Sequence, residues 1–469
     1  MTIQGRAWVG TLLAVAFSAL PLLAQADEAD KNPRTDPEGE PAEEASSLRP
    51  KLEFGLEAKA NFRQSDENRF PIRTFQPPFQ PPMPQRFLET VNSGSHFELS
   101  NLTLFADATW SESLVVHAKI DFIDLYERNP TSSADKVDVD ELWLRFGHDS
   151  QPAALSAGTG GYFKIGKFAK FERQNDRHLE SYGLVSTAFN RIEDVGVELG
   201  LDLGRHAYLK GSFTQGNPVF LRDPNALAGD NGTPAFRETN PNPDLKSGIV
   251  IPYDAATQDV DADGNLQKGL GLGIRFASED GANGVDVLVF GRRRTLADHV
   301  DFKGSFYGAD IDLLNGPESP FLTRAEVTFP LTSDRKQEVG GNVWIYWGGA
   351  SFFGQYVDQD LGGLGRIGYE GELAWRFDLP LVASLDGRQL FPSIQPVVRY
   401  SKLDPDFRPA PKSPSPSFAW QWEKLDFGVR LTVISGLDLT AEYAKNDFLL
   451  LSGAKRDNNE TLITLRWRI

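Results

Sequence analysis

Leu52-Glu53-Phe54-Gly55-Leu56-Glu57-Ala58-Lys59-Ala60-Asn61-Phe62 places an apolar residue at every even position and a polar residue or glycine at every odd one. A period of two sends alternate side chains to opposite faces, so this stretch reads as a strand with one face on an apolar medium and the other on water. The pattern returns at 114–122, where Leu114, Val116, Ala118, Ile120 and Phe122 oppose His117, Lys119 and Asp121. It returns again at 195–203, where Val195, Val197, Leu199, Leu201 and Leu203 oppose Glu198 and Asp202. The last residues, 462–469, set Ile463, Leu465, Trp467 and Ile469 on one face.

Alternation also occurs in soluble β-sandwiches, so the connections decide. Short links (110–113, 204–205, 279–284, 435–436) interleave with long ones (63–95, 169–190, 215–267, 403–421). Short turns on one rim and long loops on the other are the build of a transmembrane β-barrel. Ser435-Gly436 is a two-residue hairpin link of the favoured kind. Aromatic residues gather near strand ends, at Trp110, Tyr126, Trp344, Tyr346, Trp347, Trp375, Phe377, Tyr400 and Trp467, as interfacial girdles require. No long amphipathic helix appears, which removes α/β folds.

Strands are expected near 51–63, 96–109, 113–126, 137–147, 161–168, 192–203, 206–215, 268–278, 284–295, 321–331, 338–347, 350–359, 366–378, 391–402, 423–434, 437–447 and 459–469. Both ends of the barrel belong on the periplasmic side, so the count is even. The tight Gly348-Gly349 link reads as periplasmic, which calls for one more strand near 302–313. The expectation is therefore an all-β transmembrane antiparallel barrel of 16–18 strands, with 18 favoured by parity, and either size leaves an aqueous lumen.

Residues 1–26 carry Arg6, an apolar run from Trp8 to Leu23 and the end Ala24-Gln25-Ala26, the parts of a cleaved signal peptide. Residues 27–50 are acidic, contain Pro and Ala and lack large apolar groups, which reads as a disordered periplasmic tail. The barrel occupies 51–469. The formal charge of −17 becomes −18 once Arg6 leaves with the signal peptide, which argues against nucleic acid as a partner. With no Cys, lipoproteins, disulfides and thiolate chemistry are excluded.

Phe163-Lys-Ile-Gly-Lys-Phe-Ala-Lys-Phe-Glu172, then 181–190, then Arg191-Ile-Glu-Asp-Val-Gly-Val197 resemble the phosphate-selective porin family of Gram-negative outer membranes. Glu141-Leu-Trp-Leu-Arg-Phe-Gly147 and Pro396-Val-Val-Arg-Tyr-Ser-Lys-Leu-Asp404 are similar to strands of that family. The likeness covers about a third of the chain in scattered blocks and departs at Lys170, where the family has Pro. It implies a homotrimer of 16-stranded barrels with a third loop folded inward.

If 169–190 folds into the lumen, Lys164, Lys167, Lys170, Arg173, Arg177 and Arg191 are the candidate pore-lining cations, a charged ring of the kind that sets selectivity. Glu172, Asp176 and Glu180 are equally placed to pair with them. Arg292-Arg293-Arg294 ends a strand, and alternation sends Arg293 opposite to its neighbours; the cluster reads equally as a site for lipopolysaccharide phosphates at the outer rim, a lining of the channel mouth or a solvated loop cluster. Asp259, Asp261, Asp263 and Gly264 match the opening of a Ca²⁺ loop, but position twelve is Leu270 rather than Glu, so only a weak Ca²⁺ site is expected and no other cofactor.

The expected function is a porin, a passive channel in the outer membrane for small hydrophilic solutes, with anions such as phosphate as candidates. Outer-membrane lipid and lipopolysaccharide are its expected surroundings, and the N-terminal tail lies in the periplasm. A channel for a polysaccharide is the alternative reading. An enzymatic barrel is disfavoured: the six histidines are scattered and no Gly-x-Ser-x-Gly or His-Glu-x-x-His motif occurs.

Overall fold

The computed structural model describes residues 50–66, 69–71, 87–89, 94–111, 113–124, 137–148, 160–190, 193–216, 252–253, 266–278, 282–295, 301–302, 335–361, 364–406, 419–450, 455–457 and 459–469. The signal peptide, the acidic tail, Arg191 and the loop bearing Asp259, Asp261 and Asp263 lie outside these residues.

Sixteen staves follow one another around the wall: β1 (Lys51–Ser65), β2 (Gly94–Ser111), β3 (Leu114–Asp124), β4 (Asp138–Gly147), β5 (Gly161–Phe168), β6 (Asp194–Leu203), β7 (Ala207–Thr214) and β8 (Gln267–Ala277). Then come β9 (Asn283–Thr295), β10 (Arg335–Trp347), β11 (Ala350–Leu361), β12 (Leu364–Trp375), β13 (Ser393–Pro405), β14 (Ala419–Ile434), β15 (Leu437–Leu450) and β16 (Glu460–Arg468). Two further segments extend staves: Phe377–Asp378 continues β12, and Lys455–Asp457 precedes β16 along β15. Every neighbour is antiparallel, and β1 closes the barrel by pairing with β16 from Glu57↔Arg468 to Ser65↔Glu460.

The count corrects the parity argument. β9 pairs directly with β10 from Asn283↔Trp347 to Thr295↔Arg335, while its other edge is taken by β8. Both edges of β9 are filled, so no stave is inserted there. The strands expected at 302–313 and 321–331 fall almost wholly outside the described residues, and the barrel closes without them. Removing both restores an even sixteen and keeps Gly348-Gly349 on the short-turn rim.

Burial runs inside out. Arg63, Arg275, Arg366, Arg399 and Lys210 are among the largest fully buried side chains, whereas Phe54, Leu272, Val289, Val339, Phe427 and Leu465 are exposed on the outer face. In water each such apolar side chain would forgo about 1.5–3 kcal/mol available from burial. Repeated around the wall, that penalty is avoided only when the outer face meets an apolar medium, so this is a membrane barrel and not a sandwich. Within β1 the alternation is the one read from sequence: Glu57, Lys59, Asn61 and Arg63 are buried, and Phe54 and Ala60 point outward.

Trp110, Trp347, Trp375 and Trp467 are exposed beside the short turns, as a girdle requires. Trp344 does not join them. It turns inward, fully buried, with its ring 5.3 Å from that of Phe353. The register explains this, because Trp344 sits at odd spacing from the outward Ile345 and Trp347 pairs.

A constriction inside the barrel

Beyond Phe168 the chain leaves the wall and residues 169–190 cross the interior. A backbone segment in such a place must have its N–H and C=O groups satisfied by the wall. Three glutamates supply the acceptors. Glu372 accepts the His178 backbone N–H at 3.1 Å and lies 2.9 Å from its Nδ1. Glu442 accepts the backbone N–H groups of Glu180 and Ser181. Glu370 accepts the Val185 N–H at 3.1 Å and the Ser186 hydroxyl at 2.7 Å. Donors come from the same side: Lys424 to the Tyr182 carbonyl at 2.6 Å, Arg366 to Ala188 at 3.2 Å and Gln355 to Glu172 at 3.2 Å.

Ionic clamps hold the two ends of this grip. Arg292 donates Nε and Nη2 to the two oxygens of Glu172 at 2.7 and 2.6 Å, a bidentate pair with both side chains 1% exposed. Glu180 sits among Lys59 at 3.0 Å, Arg466 at 3.1 Å and Arg430 at 3.2 Å. Burial works against its charge, but these cations outweigh it and hold Glu180 well below the usual carboxylate range. For His178 burial likewise opposes the charged form. Hydrogen bonds and charge from Asp176 and Glu372 prevail and push it up to about 9.

Leu179, Leu184, Val185 and Phe189 form the apolar underside of the loop, each at most 1% exposed. Inward-facing glycines in the wall make room for them. A Cβ at Gly428 would stand 2.3 Å from Leu179 Cδ2, and one at Gly368 would stand 2.7 Å from Phe189 Cε2.

The opposite face of the loop borders a cavity of about 340 Å³ against β1–β4 and β16. Its cations are Lys59, Lys119, Arg173, Arg177, Arg466 and Arg468, and its carboxylates are Glu57, Asp140, Glu141 and Glu180. His117, Phe105 and Tyr182 also line it. Arg177 lies flat on Tyr182, its guanidinium carbon 3.6 Å from the ring centre.

The cations named from sequence separate into two groups. Arg173 and Arg177 border the cavity. Lys164 is buried against Glu198 at 3.2 Å, and Lys170 donates to the Phe189 carbonyl at 2.8 Å near Glu338. Lys167 donates to the Val139 carbonyl at 2.6 Å, and Arg191 lies outside the described residues. Lys59, Lys119, Arg466 and Arg468 were missed, because they come from staves far apart in sequence. Among the three arginines ending β9, alternation holds: Arg292 and Arg294 are buried and Arg293 is exposed.

Asp140, Glu141 and Glu193 bring carboxylate oxygens within 4.8 Å of one another, the one grouping among the described residues with metal-ligand geometry. Lys119 pairs with Asp140 and Arg173 with Glu193, so two of the three carboxylates are already neutralised by side chains.

No protein-family model matches the chain, nor does any curated protein. Among solved structures it is similar to the outer membrane channel DcaP of Acinetobacter baumannii, at 9% identity and TM-score 0.46, over 90% of this chain and 98% of that one. It is also similar to OprB of Pseudomonas putida, at 7% identity and TM-score 0.45, over 91% and 96%. A third likeness is to OmpT, an outer membrane protein of Vibrio cholerae, in its trimer form, at 11% identity and TM-score 0.42, over 90% and 100%.

Proposed function

We propose that this barrel is an outer-membrane porin that passes small hydrophilic solutes by diffusion through the cavity beside the loop 169–190. The observation that carries the reading is the inside-out wall of sixteen staves, apolar outside and charged within, narrowed by the inward segment 169–190. A sixteen-strand barrel is wide enough for an aqueous channel, and a loop across it sets the size limit.

The finer reading is a preference for anions, phosphate among them. Six cations against four carboxylates border the cavity although the whole chain is acidic, so the local balance opposes the global one. A homotrimer is the assembly this reading favours. Planar-bilayer recording tests both levels. Folded protein should conduct, and its reversal potential in a KCl gradient should carry the sign of anion preference. Absence of conductance overturns the channel, and a cation-selective potential overturns the anion preference alone.

A further inference from the structure

The charges bordering the cavity do not all cancel in pairs. Of its six cations, Lys59 meets Glu57 at 3.1 Å and Glu180 at 3.0 Å, and Arg466 meets Glu180 at 3.1 Å and Asp438 at 2.6 Å. Arg468 is taken by Glu57, Lys119 by Asp140 and Arg173 by Glu193. Five cations are thereby matched, and so are the carboxylates Glu57, Asp140 and Glu180. Among the described residues Arg177 and Glu141 form no ion pair, although both border the same volume.

Both are nevertheless held in place. Arg177 lies flat on Tyr182, 3.6 Å from the ring centre, which leaves the N–H edge of its guanidinium to the cavity. Glu141 owes its direction to a bulge in β4. Lys119 pairs with Glu141 and Ile120 with Val139, so Asp140 is the extra residue and two consecutive carboxylates line the cavity. Trp143 Nε1 donates to Glu141 at 3.1 Å, and His117 stacks on that indole with centroids 4.9 Å apart, which steadies the carboxylate without neutralising it.

The two stand toward different ends of the wall. Arg177 is three residues from Glu180, which is tied to β1 and β16 through Lys59 and Arg466, whereas Glu141 belongs to β4. Between those ends the wall carries a ring. Gly55, Phe105, Lys119 and Glu141 share one row across β1–β4, and Phe105 is its apolar member. A Cβ on Gly55 would meet only ordinary contacts, Ile469 O at 3.4 Å and Phe105 at 3.7 Å, and its φ is not left-handed. Neither space nor backbone demands glycine there. Its effect is to leave the Phe105 ring uncovered on that side.

We propose that the cavity binds a zwitterion, an amino acid or short peptide with an apolar side chain: its carboxylate on Arg177, its ammonium on Glu141 and its side chain against Phe105. A guanidinium edge offers a carboxylate two parallel N–H bonds, and an ammonium donates to a carboxylate in a charge-assisted bond. Inorganic phosphate would use the first contact alone. The volume of about 340 Å³ falls at the small end of ligand sites, which run from about 300 to 1,000 Å³. The inference rests on the channel reading above and names a solute class for it.

Blockade of the KCl current in planar bilayers tests it. The probes are phenylalanine and the dipeptide phenylalanyl-glycine, each beside its N-acetylated form, which lacks the ammonium, and its C-amidated form, which lacks the carboxylate. At least one zwitterion should half-block at a lower concentration than both of its capped forms. Glu141→Gln, which keeps an acceptor for Trp143, should raise that concentration about five-fold, the upper end for a partly solvated ion pair, without raising that of the N-acetylated form. Arg177→Gln should do the same without raising that of the C-amidated form. A merely structural role would weaken all the probes alike, and that result overturns the assignment. An N-acetylated form that blocks as well as its zwitterion overturns it too, leaving an anion site only. A normal KCl current that none of the probes interrupts overturns the binding site and spares the channel, whereas absence of any current overturns the channel reading itself.

Discussion

The two faces of the loop 169–190 meet the barrel in opposite ways. Toward β10–β15 the wall grips the loop: glutamates take backbone N–H groups, cations take carbonyls, and Leu179 and Phe189 sit over glycines. Toward β1–β4 and β16 the same loop faces open volume lined by charge. The difference teaches that a charged residue pointing into a barrel is not thereby a selectivity element. Lys170 and Arg292 are buried fasteners, whereas Arg177 and Arg468 look onto the passage. Glu180 stands on the border, tying Lys59 and Arg466 of the open side to the gripped one.

The largest effect should come from abolishing the gripped face. Replacing residues 172–189 with a short Gly-Ser link should raise single-channel conductance several-fold, because the lumen of a sixteen-stave barrel is then unobstructed. Arg292→Ala is the milder version. Breaking a buried bidentate pair from one side costs about 3–5 kcal/mol, so the loop should loosen and the current become noisy. Unchanged conductance in the excised protein would mean the loop is not the narrowest point.

How the two faces could be read beforehand differs as well. The wall was legible because period-two alternation survives in single strands such as Leu52 to Phe62, and it correctly turned His117, Lys119 and Asp121 inward. Parity failed at 295–335 because apolar segments there resemble staves, and only the filled edges of β9 exclude them. The passage was half legible. Alternation says which side chains face inward but not which staves face each other across the lumen. Lys59 and Arg466 meet at Glu180 only because β1 and β16 close the barrel. A usable signal did exist in the inward positions Gly368 and Gly428, where a strand with polar inward neighbours gives up a side chain to make space.

Glu180→Gln sharpens the comparison at the border. It removes the anion shared by Lys59, Arg430 and Arg466 and leaves three cations crowded without it. Reversal potentials should move further toward anion selectivity, and thermal stability should fall, since a buried charge cluster loses its counter-charge. A shift toward cations would show that Glu180 does not act on the passage.

A change of pH should loosen the gripped face without touching the open one. The folded value of His178, about 9, lies above its free value of about 6.5, so its contribution is complete below pH 6.5 and is lost as pH rises through 9. Asp176 and Glu372 face it from the loop and from β12, and both stay ionised across that window. The contribution is on the order of 3 kcal/mol at most. Conductance noise should therefore grow between pH 7 and 9.5, and His178→Gln should be noisy already at pH 7 with no further rise.

Arg177→Ala should give the smallest effect and the cleanest separation of the two faces. Its guanidinium rests on Tyr182 at the edge of the cavity and takes no part in the ladder of glutamates that grips the loop backbone. Stability should stay within about 0.5 kcal/mol of the parent, as for most substitutions outside packed networks. One partly solvated charge is worth about 0.4 kcal/mol to a passing anion, which is a factor of about two in the anion-to-cation permeability ratio. The change should fade as salt is raised, because the Debye length contracts from about 10 Å at 0.1 M to about 3 Å at 1 M. A permeability ratio that stays fixed at 0.1 M, with conductance unaltered, would place the solute path away from Tyr182 and move the selectivity to Lys119 and Arg468 on the wall.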